Sequence, residues 1–510
     1  MNQHIRIASS LIVGGLLAAG LLLGLSATPP TAHGDSDTYF VRPGGSGACT
    51  QSDPCNLSTA LGLATDGETL YLAGGTYTGT GEEVVRITHS IALYGGWDGT
   101  PAGPVARDPA IHVTALDGEG QRRVMVISGT ITPTIDGLTI TGGDATGLGG
   151  GVYAGSEAGG GIYSLNASPI IQHNVITNNV ASNQEGARAL GGGLYIQDAP
   201  TRAVVRDNQI LSNTAGIGIQ QGDGGGLFLW SAADILSNTF RYNVACKNCS
   251  RAPGGGVAVA WTSDRALIAY NLFENNRARW GGGISLMWSG VQVSRNAIIS
   301  NTSQGHGGGL YSDYDVGSHI DGNMVMFNTA SLGGSGLCIH ITKPPGPTRL
   351  TNNIIAHNFA GTRGGGVYAY SDWNLSAVTL AHNTLVENGE AVRVSTNMTA
   401  TLVNNIIAGH TVGITLEDPS GGILADHSLF WANADDGIRG TDPVDGHPAF
   451  VDPDGNDYHI EVGSMARDAG VSAGVTNDID GDSRPQGSGY DIGADEFREW
   501  CVYLPLAEKG

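Results

Sequence analysis

Three consecutive glycines followed by an apolar residue recur through the middle of this chain, and few folds accommodate that. Glycine loses more backbone freedom on ordering than any other residue, so a chain that repeats it in threes has a backbone position that little else fits. The triplets start at 159, 191, 224, 254, 281 and 307, in degraded form at 334 ("GGSGLC", 333–338), and in full again at 364. Between them runs a second series: Asn, any residue, an apolar residue, two more, then Asn. It fits Asn174/Asn179, Asn208/Asn213, Asn238/Asn243, Asn271/Asn276, Asn296/Asn301, Asn323/Asn328, Asn353/Asn358 and Asn383/Asn388. The stretches between these marks alternate with period two, as in "AVVRD" (203–207), "ALIAY" (266–270) and "VQVSR" (291–295). That alternation predicts strands.

Each unit of about 30 residues therefore carries three short strands separated by turns, a period that signals a stacked repeat. Stacked in register, the units make a right-handed parallel β-helix, an all-β architecture in which neighbouring coils pair strand to strand at about 4.8 Å. The glycines belong to a corner with φ > 0 and close approach of adjacent coils. The residues that follow them, Leu194, Leu227, Val257, Ile284, Leu310, Leu337 and Val367, are expected to point inward. Repeated asparagines at one corner form side-chain ladders between coils, so their role is structural. A phosphate-cradling glycine loop would lead into a helix; here a strand follows.

The ends read differently. Residues 1–34 are expected to be an export signal, with Arg6 before the apolar run Ala8–Leu25. Residues 35–80 are expected to hold a cap, "LSTALGLAT" (57–65) forming a short helix, and the first strands. The β-helix is assigned to 81–430, an Asp-rich C-terminal module to 431–497 and a tail to 498–510. No segment of the mature chain is expected to span a membrane. Export permits disulfides, and Cys49–Cys55 and Cys246–Cys249 are close enough in sequence to pair; Cys338 and Cys501 have no evident partner.

The formal charge is −22, with 47 acidic against 25 basic residues. Such a surface repels nucleic acid, anionic membranes and polyuronates.

The repeats resemble the secreted β-helix proteins of the pectin-lyase-like superfamily. The stretches "DPVDGHPAFVDPDGNDYHI", "SMARDAG", "DIDGDSRP" and "DIGADE" are similar to the choice-of-anchor Q module, and Phe240/Asn243 and Phe273/Asn276 are similar to the F-x-x-N motif of polymorphic outer membrane proteins. The first resemblance implies a β-helix that includes polysaccharide lyases and hydrolases among its relatives; the second implies surface attachment. The hydrolase motif order is not met: "GHG" (305–307) precedes "DD" (435–436), and no Arg-Ile-Lys follows. Asp313, Asp315, Asp321 and Asp372, with Arg349 and Arg363, are a candidate lyase cluster. Asp478, Asp480 and Asp482 have the alternate spacing of a Ca²⁺ loop without its closing glutamate. Two readings stay open there: a structural Ca²⁺, or a turn held by Asp–backbone bonds.

One further column stands out. On and just beyond the strands that follow the triplets lie Tyr195, Phe228, Trp230, Trp261, Trp288, Tyr311, Tyr314, Tyr368, Tyr370 and Trp373, with Asp313, Asp372 and His340 among them. Trp230, Trp261, Trp288, Tyr311, Asp313, Tyr314, Tyr370 and Trp373 are the expected carbohydrate-binding residues, the aromatics forming a nearly flat shelf, with Trp261, Trp288, Tyr311 and Tyr370 at least partly exposed. Three functions compete: a surface or extracellular glycan-binding or adhesive protein, a polysaccharide lyase or hydrolase, and a purely structural surface protein.

Overall fold

The computed structural model describes residues 38–217, 221–246, 249–261, 266–342, 347–372 and 375–498. The expected export signal, Trp373, Cys501 and the tail from 499 lie outside the described residues.

The chain winds into the expected parallel β-helix. One sheet of 16 strands contains 134–136, 170–172, 203–206 and their successors to 422–426. A second, of 14 strands, contains 139–141, 175–177, 209–211 and on to 444–445; a third, of 12, contains 123–128, 162–165, 194–197 and on to 412–416. Register is kept coil to coil: Ile176 pairs with Ile210, Ile210 with Phe240 and Phe240 with Phe273. The inward residues are fully buried in one continuous core, with Phe240 and Phe273 stacked at 4.9 Å. A seven-stranded sheet of two- and three-residue strands, from 180–182 to 359–360, adds a fourth side to the coil that alternation over longer windows does not reveal.

The corners follow the repeat. Gly281 has φ +64°, and a Cβ on Gly282 would stand 2.4 Å from the Gly308 carbonyl oxygen of the next coil. In the degraded triplet, Ser335 replaces the middle glycine; its hydroxyl donates to the Phe359 carbonyl at 2.6 Å and accepts from the Ala330 amide at 2.8 Å. Both asparagine series are buried ladders. In Asn301, for example, Nδ2 donates to the Phe273 carbonyl (2.9 Å) and to Asn328 Oδ1 (3.0 Å), while Oδ1 accepts from the Asn276 amide and Nδ2 (3.0 Å each). The second ladder continues past the last asparagine pair through His410, whose Nδ1 accepts from the Asn388 amide (3.2 Å) and whose Nε2 faces the Leu385 carbonyl (3.1 Å).

The helix Leu57–Leu63 is N-capped by Asn56, which accepts from the Thr59 amide, and it buries Leu57 and Ala60 against the end of the core. The disulfides Cys49–Cys55 and Cys246–Cys249 are both formed. Cys338 is a buried thiol.

The chain from about 447 to 497 lies along the outside of the coils. Tyr458 and Ala494 pack on Met326, Ile354, Ala356 and Val386; Ile460, Ala466 and Ile492 pack on Ile406, Ala408 and Leu429. The polar clamp is a fully buried Arg484–Glu496 pair at 2.7 Å, with Arg484 also donating to the Gly493 carbonyl at 2.8 Å. Among the described residues no helix is long and apolar enough to cross a membrane.

Candidate functional site

The outward face of the third sheet carries the aromatic column, and its side chains fall into two layers. The second residue after each triplet points out of the coil, yet Tyr195, Phe228, Tyr311 and Tyr368 are all buried. The cause is what covers them. In the early coils the connection before the triplet is long enough to add side strands, 156–158, 188–190 and 221–223, which pair with one another. Ala158 and Leu190 from these strands close over the stacked rings of Tyr163, Tyr195 and Phe228. In the later coils Trp280 and Tyr370 close over Tyr311, Cys338 and Tyr368. Tyr311, expected to be partly exposed, is 6% exposed for this reason.

The outer layer comes from the fourth and fifth positions. Trp230, Trp261, Trp288 and Tyr314 stack in sequence, with ring centroids 6.0, 4.6 and 4.0 Å apart and the last two pairs within 6° of parallel. Trp261 is 48% exposed, and Trp230, Trp288, Tyr314 and Tyr370 are half-buried. A coil repeat of about 4.8 Å is little more than one ring thickness, so these side chains spend their faces on one another. The expected flat shelf is instead a ladder whose ring edges face outward.

That ladder forms one wall of a cleft of about 410 Å³ lined by Tyr153, Arg188, Trp230, Arg251, Trp261, Met287 and Trp288. Arg188 lies over the Tyr153 ring, 3.1 Å from its centroid, and 3.8 Å from Asp223 Oδ2. Burial pushes the Asp223 carboxyl up to about 6 against the pull of Arg188, Gln221 and Arg251. Tyr153, Arg188 and Arg251 were not singled out from the sequence. A signal existed: residues 156, 188, 221 and 251 each stand three places before a triplet, and the structure aligns them across neighbouring strands.

Toward the C-terminal end the column turns polar. Asp313, His340 and Tyr370 occupy one register position in consecutive coils. His340 Nδ1 is 3.0 Å from the Tyr311 hydroxyl and 2.9 Å from Asp313 Oδ1, the latter an ion-pair contact without hydrogen-bond alignment. Its Nε2 is 3.1 Å from Asp372 Oδ2, and its ring stacks on Tyr370 at 4.3 Å. The sequence-selected Asp313, Tyr311, Tyr314 and Tyr370 thus gather around one histidine. A smaller cleft of about 210 Å³ adjoins them, lined by His306, Arg363, Tyr368, Tyr370, Asp372 and Glu417 among others. Burial lowers His306 to about 4, so it is neutral at pH 7. Arg363 is held by Glu417 at 3.4 Å and by the Tyr368 hydroxyl at 3.3 Å. Of the candidate lyase cluster, Asp315 turns away to cap Ser312 and the 317–318 turn, and Asp321 binds Thr351.

Asp478, Asp480 and Asp482 do not converge. Asp478 Oδ1 accepts the amides of 480, 481 and 482 at 2.8–3.0 Å, and its Oδ2 accepts the Glu496 amide. Asp480 pairs with His459 at 2.9 Å, a hydrogen bond that lifts His459 to about 10, and Asp482 pairs with Arg498. Asp478 thus holds the turn through backbone amides, while Asp480 and Asp482 are turned to His459 and Arg498.

Residues 231–397, about a third of the chain, match the family model described as periplasmic copper-binding protein (NosD). No curated protein matches the chain. Similar solved structures include a pectate lyase (13% identity, 90% of this chain and 96% of that chain covered, TM-score 0.37). XylC in complex with xylose is another (11%, 90% and 98%, TM-score 0.47), as is a rhamnogalacturonan lyase (12%, 89% and 96%, TM-score 0.24).

Proposed function

We propose that this chain is an exported β-helix protein of the cell surface or extracellular space that binds a polysaccharide along the outer face of its third sheet. The observation that carries this reading is the ladder Trp230–Trp261–Trp288–Tyr314, which borders an open cleft and leads into the Asp313–His340–Asp372 cluster. The ring edges and the exposed part of Trp261 make an apolar strip beside a few convergent polar groups, which suits sugars with their apolar C–H faces and hydroxyls. The charge of −22 favours a largely neutral chain over a polyuronate. Export is supported by the apolar run behind Arg6, by the two disulfides and by the periplasmic description of the matching family. Surface attachment rests on the resemblance of the C-terminal segment to a choice-of-anchor module.

Hydrolysis is the weaker reading. The Asp313 and Asp372 oxygens that reach His340 lie at most about 8 Å apart, a separation at which two carboxyls can work across a glycosidic bond. The imidazole of His340 fills that gap, so no sugar fits between them. Between 231 and 397, among the described residues, no three His, Cys, Asp or Glu side chains bring one ligand atom each within 4.8 Å of one another; Asp313 and Asp372 meet His340 from opposite sides of its ring. The groups whose ligand atoms do converge, Asp426–His427–Asp442 and His459–Asp480–Asp495, lie beyond that segment.

The test is a Trp261→Ala/Trp288→Ala double variant, screened against neutral polysaccharides. It is expected to keep the wild-type melting profile and lose binding. Binding equal to wild type would leave the ladder as packing and the protein as a structural one.

A further inference from the structure

Most of the described arginines stand beside a carboxylate, and a buried Nε without a hydrogen bond occurs in Arg241 and Arg484 as well as in Arg188. Arg107 pairs with Asp136, Arg122 with Glu119, Arg202 with Asp234, Arg241 with Glu274, Arg393 with Glu390 and Arg484 with Glu496. The cleft beside the tryptophan ladder is different. It holds two guanidinium groups, Arg188 and Arg251, against one carboxylate. That carboxylate, Asp223, already accepts from Gln221 Nε2 at 2.8 and 3.1 Å, and it stands 3.8 Å from Arg188, beyond hydrogen-bond range. The buried Nε of Arg188 has no hydrogen-bond partner. Arg251 is exposed and, among the described residues, makes no ion pair. In a chain with 47 acidic and 25 basic residues, a local excess of positive charge against an aromatic wall is a departure from the rest of the surface.

The two arginines are also placed by the fold to act together. Arg188 pairs in register with Gln221, and Gln221 with Arg251, so they stand two coils apart on the side strands, facing the ladder across the cleft. Two coils set the two backbones about 10 Å apart, a gap that two long arginine side chains lining one cleft can close onto a single acid group. Stacking on Tyr153 orients the Arg188 guanidinium and leaves its edge for a planar or tetrahedral anion.

We infer that this cleft is a subsite for one anionic substituent, a carboxylate or a sulfate ester, on the glycan that runs along the ladder. The inference rests on the glycan-binding reading above and adds its ligand class: a mostly neutral chain bearing isolated negative charges. The surrounding acidic surface rejects a polyanion, and the arginine pair selects the isolated charge. The sugar ring meets Trp261 while its acid group meets Arg251 and Arg188.

The experiment is a glycan array of matched oligosaccharides, neutral, singly carboxylated and singly sulfated, probed with wild type, Arg251→Ala and the Trp261→Ala/Trp288→Ala variant. The carboxylated and sulfated arms separate the two sources of charge. Wild type is expected to prefer at least one charged form by about tenfold at low salt, the preference fading as salt rises. Arg251→Ala is expected to erase the preference. Equal wild-type affinity for charged and neutral forms, or a preference that survives in Arg251→Ala, overturns the subsite and leaves glycan binding standing. Binding to none of the oligosaccharides overturns both.

Discussion

Replacing Asn301 by leucine tests whether the asparagine ladders hold the stack. The side chain of Asn301 is fully buried and takes part in four hydrogen bonds, two donated and two accepted. Leucine has the same branching and heavy-atom count, but its methyls replace polar atoms that lie 2.9–3.0 Å from their partners, so an overpacking cost adds to the polar one. The substitution leaves the Asn276 amide without its acceptor and removes the donor from the Phe273 carbonyl. A buried donor left unmade costs about 1–3 kcal/mol, and each of the three remaining lost bonds about 0.5–1.5 kcal/mol, for a total of about 2.5–7.5 kcal/mol. Urea unfolding followed by circular dichroism reads the total, and hydrogen exchange at the Asn276 amide reads its location. A loss under about 1 kcal/mol, with unchanged protection of that amide, would refute the claim that the ladder contributes stability beyond the strand pairing around it.

Two other outcomes follow from the same geometry. His410 occupies an asparagine place in the second ladder, and burial lowers it to about 4 from an ordinary value near 6.5. The unfolded chain therefore takes up the proton first as pH falls, and stability present above pH 6.5 is lost on the way down to about 4; His410→Asn should recover roughly 2–3 kcal/mol of that acid loss, a result excluded if wild type and variant weaken equally between pH 7 and 4.5. At Gly308, a Cβ would meet backbone oxygens of Ser335 and Thr329 at 2.5 and 2.6 Å, whereas Gly186 has positive φ and open space. Gly308→Ala is expected to abolish soluble folded protein, while Gly186→Ala costs about 1–2 kcal/mol of backbone strain; comparable melting temperatures for the two would contradict the close-packed corner.

The coil itself was legible in the amino-acid sequence. Triplet spacing, paired asparagines and period-two strands set the register, because each coil touches only its neighbours and each contact repeats at a constant offset. The inward positions of Leu194 through Val367 and the fates of Cys49, Cys55, Cys246 and Cys249 follow from that local order. What lies outside the coil does not repeat, and only the tertiary structure decided it. Alternation says that Tyr195, Phe228 and Tyr311 point outward, but whether an outward ring meets water depends on side strands, which come from insertions of variable length, and on Trp280, whose cover over Tyr311 periodicity does not encode. The C-terminal cover had left a trace: Met326, Ile354, Val386 and Ile406 are apolar where earlier coils carry Thr177, Gln209 and Glu274, yet nothing local identifies 458–494 as what covers them. Asp313, His340 and Asp372 met for a related reason. Their register depends on coil lengths of 27 and 30 residues counted between triplets, and the direction each side chain takes at the rim of the sheet is set by packing against Tyr311 and Tyr370, which periodicity does not encode.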